Sequence, residues 1–190
     1  RNVIVNAKIM DEQQLKEVRG HTIGLSKRDV EIISETLSFV EQSSAEKKVK
    51  TFMVFGNGIT SDASAYGVTP SYFELSGFKT QLGRLFSETE ENSFQQVAVL
   101  GPYTANLLFA NADPIGQLIK VNHVWLRVIG VLEDKSLNKN EFEGIKLGGE
   151  KNRVFIPLQT ALKKFNFPEL DNEIDTFRVK INKLTDPNLA

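Results

Sequence analysis

Apolar and polar positions alternate with a period of two at both ends of the chain. In NVIVNAKI, Val3, Val5, Ala7 and Ile9 share one face, and Asn6 and Lys8 are among the residues on the other. In TFRVKINK, Phe177, Val179 and Ile181 oppose Arg178, Lys180 and Asn182. Each pattern predicts a strand with one face on a core and one in water. After the first strand the period lengthens. Val30, Ile33 and Leu37 recur at helical spacing behind Ser26 and Asp29, a Ser-x-x-acid pair of the capping-box type. EQSSAEKKVK reads as a polar stretch. TFMVFGN reads as a strand closed by a Gly-Asn-Gly turn, with ITSDASAYGV as the returning strand. TPSYFELSGF predicts a short helix with Thr69 as N-cap, Pro70 at the first helical position and Gly77 at its end. KTQLGRLFSETEENSF reads as a loop with an acidic tip.

The stretch from Val97 to Asp134 is the most regular. It predicts an apolar strand, a helix starting at Gly101-Pro102, an Asp-Pro-Ile-Gly turn, and two strands pivoting at Asn122-His123. In the last strand Trp125, Ile129 and Val131 fall on one face and Val124, Leu126, Val128 and Leu132 on the other, so it is expected to be central and covered on both sides. KSLNKNEFEGIKLGGEKN predicts a mobile loop. RVFIPLQTALKKF predicts a strand stopped by Pro157 and a helix over Leu158, Ala161, Leu162 and Phe165. Two half-buried terminal strands thus bracket a more apolar middle. The economical arrangement is α+β, with both ends building one subdomain and the middle inserted as a second. If the flanks enter a membrane, both ends emerge on the same side.

Composition narrows the function classes. The 190 residues suit one large domain or two small ones, and 41% hydrophobic content with thirteen Phe supplies an aromatic-rich core. With 23 basic and 24 acidic residues, the chain lacks the basic excess of a general nucleic-acid surface. The absence of cysteine excludes disulfides, thiolate catalysis and zinc-thiolate sites. No apolar run approaches the ~18 residues of a spanning helix. The chain opens at Arg1 without a signal peptide and closes on LTDPNLA, where Asp186 and Pro187 have the form of a helix start. We expect a soluble piece of a longer protein, monomeric in isolation.

The candidate chemistry is sparse. His21 and His123 lie in different elements without partners at metal or catalytic spacing, and His123 suits a turn beside Asn122. Glu88, Glu90 and Glu91 suit a solvated loop. Asp171–Asp175, DNEID, opens like a calcium loop but has Thr176 where glycine is needed and no closing Glu. FGNGIT and LGGEKN match no phosphate-binding pattern. Arg84, between apolar neighbours, suits a hydrogen bond to a loop carbonyl. No catalytic, cofactor-binding or metal-ligating residue is assigned, and the chain is not expected to be an enzyme.

Six motifs in order carry a resemblance. They are Gly67-Val68-Thr69-Pro70-Ser71-Tyr72-Phe73, Gly83-Arg84-Leu85-Phe86, Val97 to Gly101, Leu108-Phe109, Pro114-Ile115-Gly116 and Val128 to Leu132. Together they resemble the periplasmic core domain of MacB-type ABC transporter permeases, with their FtsX-like and LolC/E relatives. The likeness is dense over residues 60–162 and weaker at LSKRDVEII, which looks like the family's first helix. It implies a porter-like subdomain from residues 1–88 and 158–190 and an inserted sabre-like α/β subdomain from 89–157. It also implies an extracytoplasmic location, between the first and second transmembrane helices of a permease. The implied partners are a cytoplasmic ATPase, a second permease copy contacted through the membrane part, and a periplasmic adaptor or lipoprotein. The implied function is non-catalytic: transmission of ATP-driven motion to the far side of the membrane. The chain departs from the family at Asn122-His123, where glycine is frequent, and in its polar Glu41–Lys50 stretch. The alternative reading is a stand-alone extracytoplasmic binding module.

Overall fold

A computed structural model describes residues 2–8, 10, 12–19, 24–135, 151–168 and 171–182. It shows an α+β fold built on one mixed sheet of eleven strands. In chain order these are β1 (Asn2–Asn6), β2 (Val40–Val49), β3 (Val54–Gly56), β4 (Ile59–Ser61), β5 (Ser64–Val68), β6 (Thr80–Gly83), β7 (Val97–Leu100), β8 (Leu118–Val121), β9 (Val124–Leu132), β10 (Arg153–Pro157) and β11 (Thr176–Ile181). The helices are α1 (Glu12–Arg19), α2 (Lys27–Thr36), α3 (Ser71–Leu75), α4 (Glu88–Asn92), α5 (Pro102–Phe109) and α6 (Leu158–Lys164). The spatial order is β1-β11-β2-β5-β10-β7-β9-β8-β3-β4, with β6 added to β9. β5–β10 and β7–β9 run parallel. Helix α1 was not anticipated from the sequence.

The alternation along the central strands sorts side chains into two cores. Ala98, Leu100, Val154 and Ile156 face one side with Leu108, Phe109 and Ala161, under α5 and α6. Val97, Val99 and Phe155 face the other with Tyr72, Phe73, Phe78 and Phe86, under α3. A third cluster joins Val30 of α2 to Ala45, Phe177 and Val179. The start of α2 carries the expected capping box, in which Asp29 N–H donates to Ser26 Oγ at 3.2 Å and Ser26 N–H to Asp29 Oδ2 at 2.8 Å.

Several expectations need correction. β1 exists and pairs with β11, but it is not half-buried: Val3, Ile4 and Val5 are all exposed, because β1 is an edge strand that the described residues leave uncovered on both faces. The polar stretch Glu41–Lys50 is β2, an interior strand between β11 and β5. Its inward positions carry Ser44, Ala45 and Lys47, so a hydrophobic period could not be seen. ITSDASAYGV holds two strands: β4 returns on β3, whereas β5 sits elsewhere, between β2 and β10. α3 begins one residue later than expected, with Pro70 as its N-cap. Thr69 Oγ1 instead accepts from Ala45 N–H at 3.0 Å, tying β2 to the helix start. The loop read at 79–94 contains β6 and α4, the latter with its own capping box from Ser87 and Glu90.

β9 is central, paired with β7, β8 and β6, but its faces differ from the strict alternation. Between Ala98 and Val99 the register against β7 slips by one, making Ile129 an extra residue. Beyond it Val131 joins the face of Val128, and Leu132 turns to the aromatic side. Trp125 and Arg127, before the bulge, lie on an open face. The bulge also brings Gly83 opposite Gly130. Gly83 has φ +65°, and Arg84 N–H donates to Ile129 O at 2.9 Å. A Cβ on Gly130 would run into Arg84 O, and one on Gly83 into Ile129 O. Gly130→Ala should therefore cost about 1–3 kcal/mol through backbone displacement. Thermal unfolding checks this, and an unchanged melting temperature would refute the close-approach account.

The predicted loop at 135–152 falls largely outside the described residues, as do LTDPNLA and His21.

Candidate functional site

The DNEID loop does hold a cation, but one from its own chain. Lys47 reaches it from β2 and is only 1% exposed. Its Nζ donates to Asp171 Oδ2 at 2.8 Å, Asn172 O at 2.6 Å and Asp175 Oδ1 at 3.1 Å. The Phe167 ring lies 5.0 Å from the ammonium. Asp175 also accepts from Lys48 N–H at 2.8 Å, so the loop clamps the middle of β2. No local pattern points to the lysine, which sits more than a hundred residues away.

The acidic run at residues 88–91 is not a solvated loop. Glu90 receives a two-pronged bond from Arg84, Nη1 to Oε2 and Nη2 to Oε1, both 2.8 Å. That pairing, with the Ser87 N–H, pulls the Glu90 carboxyl down to about 2. Arg84 also donates to the Leu85 carbonyl at 3.2 Å, the type of contact anticipated. Glu91, one residue on, turns inward and is buried. Its Oε1 accepts from Gln159 N–H at 3.1 Å in the first turn of α6. Its Oε2 is buried and has no hydrogen-bond partner among the described residues, as is true of Ser44 Oγ.

Both residues line a cleft of about 270 Å³ between α2, β2 and α4. Glu31, Glu35 and Glu88 stand around it with Lys27, which pairs with Glu31 at 3.4 Å. The cleft is thus acidic, with a buried carboxylate at one wall. A sequence signal for α4 existed: Ser87-x-x-Glu90 repeats the Ser-x-x-acid pattern that marks α2. Recognising it would have placed Glu91 on a helix rather than in solvent.

Burial raises the Glu91 carboxyl to about 7, against the smaller opposing effects of the Gln159 N–H and Lys27. The folded state therefore holds this proton more tightly than the unfolded state. Stability falls as pH rises from the unfolded carboxylate value to about 7. Glu91→Gln removes the ionisation, so it should stabilise the fold by about 2 kcal/mol at about pH 8 and by nothing at about pH 4. Urea unfolding at both pH values checks this. An equal effect at both would show that the ionisation carries no cost.

His123 follows Asn122, which has φ +52°, in the two-residue connection between β8 and β9. Its Nε2 lies 3.0 Å from Lys164 O, linking the turn to the end of α6. Asn57 and Gly58 form the β3–β4 turn of FGNGIT, both at positive φ. Among the described residues there is no group of three or more His, Asp or Glu placed to hold a metal, and no helix is long and apolar enough to cross a membrane.

The architecture is that of domains which ABC-type transporters hold outside the membrane. It superposes on the crystal structure of the periplasmic region of MacB from Actinobacillus actinomycetemcomitans with a TM-score of 0.75 at 23% identity, over 99% of this chain and 77% of that one. It also matches the extracellular domain of YknZ, a noncanonic ABC-type transporter from Gram-positive bacteria, with a TM-score of 0.70 at 16% identity, over 96% and 85% of the two chains. The chain belongs to the MacB-like periplasmic core domain family, whose sequence model matches residues 2–190. The macrolide export ATP-binding/permease protein MacB of Aggregatibacter actinomycetemcomitans is 30% identical over 144 residues, covering 76% of this chain and 21% of that protein. Its counterpart in Bdellovibrio bacteriovorus is 31% identical over 143 residues, covering 75% and 21%. The chain spans about a fifth of the length of these relatives.

Proposed function

We propose that this chain is the extracytoplasmic domain of an ABC transporter permease, coupling ATP hydrolysis on the cytoplasmic side to export on the other. The family match over residues 2–190 carries this reading. The domain is non-catalytic and works by conformational change and partner binding. Its partners are an ATPase in the same protein or on a second subunit, a second permease copy, and a periplasmic adaptor or lipoprotein. The terminal segments 1–88 and 158–190 form the part nearer the membrane, and 89–157 form the distal part, with the β3–β4 hairpin joining the distal strands through β8. The antiparallel pairing of β1 with β11 sets Asn2 opposite Lys180, an arrangement that suits a domain inserted between two spanning helices.

The first test is a hydropathy scan of the complete gene, which should show one spanning segment before this region and three after it. Flanks without such segments would remove the transporter and favour a stand-alone binding module. The second test compares the complete transporter in vesicles with a form lacking the domain. ATP hydrolysis should persist while export is lost, and export surviving the deletion would sink the coupling role.

A further inference from the structure

At the end of the sheet remote from β1, one face is uncovered by any of the described residues. Along β3, β4, β8 and β9, one set of alternate residues faces the core: Val54, Ile119, Val121, Val124, Leu126 and Val128 are all buried. Among the described residues no layer lies over the opposite set. Cross-strand register places Phe55 beside Thr60 and Lys120, Lys120 beside Trp125, and Leu118 beside Arg127. Trp125 is 46% exposed and Leu118 48%. Met53, exposed, continues the Phe55 side of β3, and Phe52 beside it is 77% exposed. Asn122 holds this rim in place, its Oδ1 accepting from Phe52 N–H at 2.8 Å and its Nδ2 donating to Lys50 O at 2.9 Å.

A solvated sheet face ordinarily carries polar residues at its outward positions. Here half of those positions, Phe55, Leu118 and Trp125, are large and apolar, and the charged ones have one sign. The four strands contain Lys120 and Arg127 and no Asp or Glu. Lys120 Nζ lies 5.5 Å from the Trp125 ring centre and Lys50 Nζ 5.4 Å from that of Phe52. Arg127 is held by a 2.9 Å bond to Gly116 O, which fixes its side chain at the edge of the patch. An exposed Trp beside an exposed Leu and a fixed Arg has the composition of a protein-binding hot spot.

We propose that the open face of β3, β4, β8 and β9 is a docking surface for an acidic, apolar segment of a partner protein. The partner's apolar side chains cover Trp125 and Leu118, and its carboxylates meet Lys120 and Arg127. A carboxylate-bearing partner fits because the charged residues of these four strands are both cations, and complementary charge sets both encounter rate and register. The inference does not depend on the transporter reading, since it concerns binding alone.

Trp125 is the one tryptophan in the 190 residues, so its emission reports on this face directly. The purified chain is titrated with a synthetic peptide of alternating glutamate and leucine, with its lysine-leucine counterpart, and with phosphatidylglycerol vesicles. The expected result is a saturable blue shift with the acidic peptide, at least tenfold tighter than with the basic one and weakened by salt. Anisotropy of the labelled acidic peptide should show Trp125→Ser and Leu118→Asp each weakening binding about tenfold or more. Lys120→Glu with Arg127→Glu should reverse the preference between peptides, while Tyr103→Ser, at an exposed position of α5, should leave binding unchanged. Equal binding of both peptides, no saturable response, or a response to the vesicles alone would overturn the proposal. The last result would assign the face to an anionic lipid surface instead.

Discussion

Phe155→Ala is expected to lower the free energy of unfolding by about 3–5 kcal/mol. Phe155 is fully buried in β10, the strand that joins β5 to β7 in the middle of the sheet. Its ring lies 5.6 Å from Tyr72, 5.6 Å from Phe73 and 5.9 Å from Phe78, centroid to centroid. Truncation removes the transfer energy of the ring and leaves a cavity among side chains that cannot close it. Tyr72 and Phe73 are fixed by the short helix α3, and Phe73 is also packed edge-on against Phe86 at 5.1 Å. The edge-to-face contacts add about 0.5–1.5 kcal/mol per pair beyond burial. Phe155→Leu refills most of the volume and should cost markedly less. Urea unfolding followed by circular dichroism measures both, and a loss under about 1 kcal/mol for the alanine variant would mean that the cluster is not a structural centre. In the proposed transporter this strand lies where the terminal and middle segments meet, so the same substitution should also weaken coupling in the complete protein.

The second large effect is at Lys47. Lys47→Met should cost about 3 kcal/mol, the lower end for breaking a buried ion pair. The lower end applies because the side chains of Asp171 and Asp175 are each 36% exposed, so water recovers part of their solvation once the ammonium is gone. Methionine keeps the volume of the aliphatic stem, which isolates the loss of charge and hydrogen bonds from the loss of packing. Adding Asp171→Asn and Asp175→Asn to Lys47→Met should restore part of the stability, since the repelling carboxylates are then removed. A triple variant no better than the single one would mean that the cost lies in the bond to Asn172 O or in packing on Phe167, not in the charges. The double-mutant cycle separates the two carboxylates.

The six motifs that carried the family resemblance have structural reasons that only the coordinates reveal. Gly67 is needed because a Cβ there would meet the Ala161 Cβ at 2.6 Å. Gly83 and Gly130 allow backbone contact between β6 and β9, and Gly116 turns at φ +82°. Tyr72, Phe73 and Phe86 belong to one aromatic core although they come from two motifs. All these residues could be named from the sequence, but their mutual contacts could not. The candidate site was less legible still. Each sequence candidate was judged within its own segment, whereas Lys47 meets Asp171 and Asp175, and Glu91 meets Gln159, across long loops.

By itself the sequence determined the α+β class, the capped start of α2, the β7–α5–β8–β9 succession, the β10–α6 unit and the family. These follow from local periods, caps and turn residues, which act over a few neighbours. Tertiary structure alone decided that β2 is interior, that β1 is an exposed edge, that β9 changes face at Ile129, and that Glu91 and Lys47 are buried. Burial belongs to the sheet's order, not to the segment. A strand such as β2 can carry Lys47 inward because distant residues satisfy it, whereas an apolar strand such as β1 stays exposed because none of the described elements covers it.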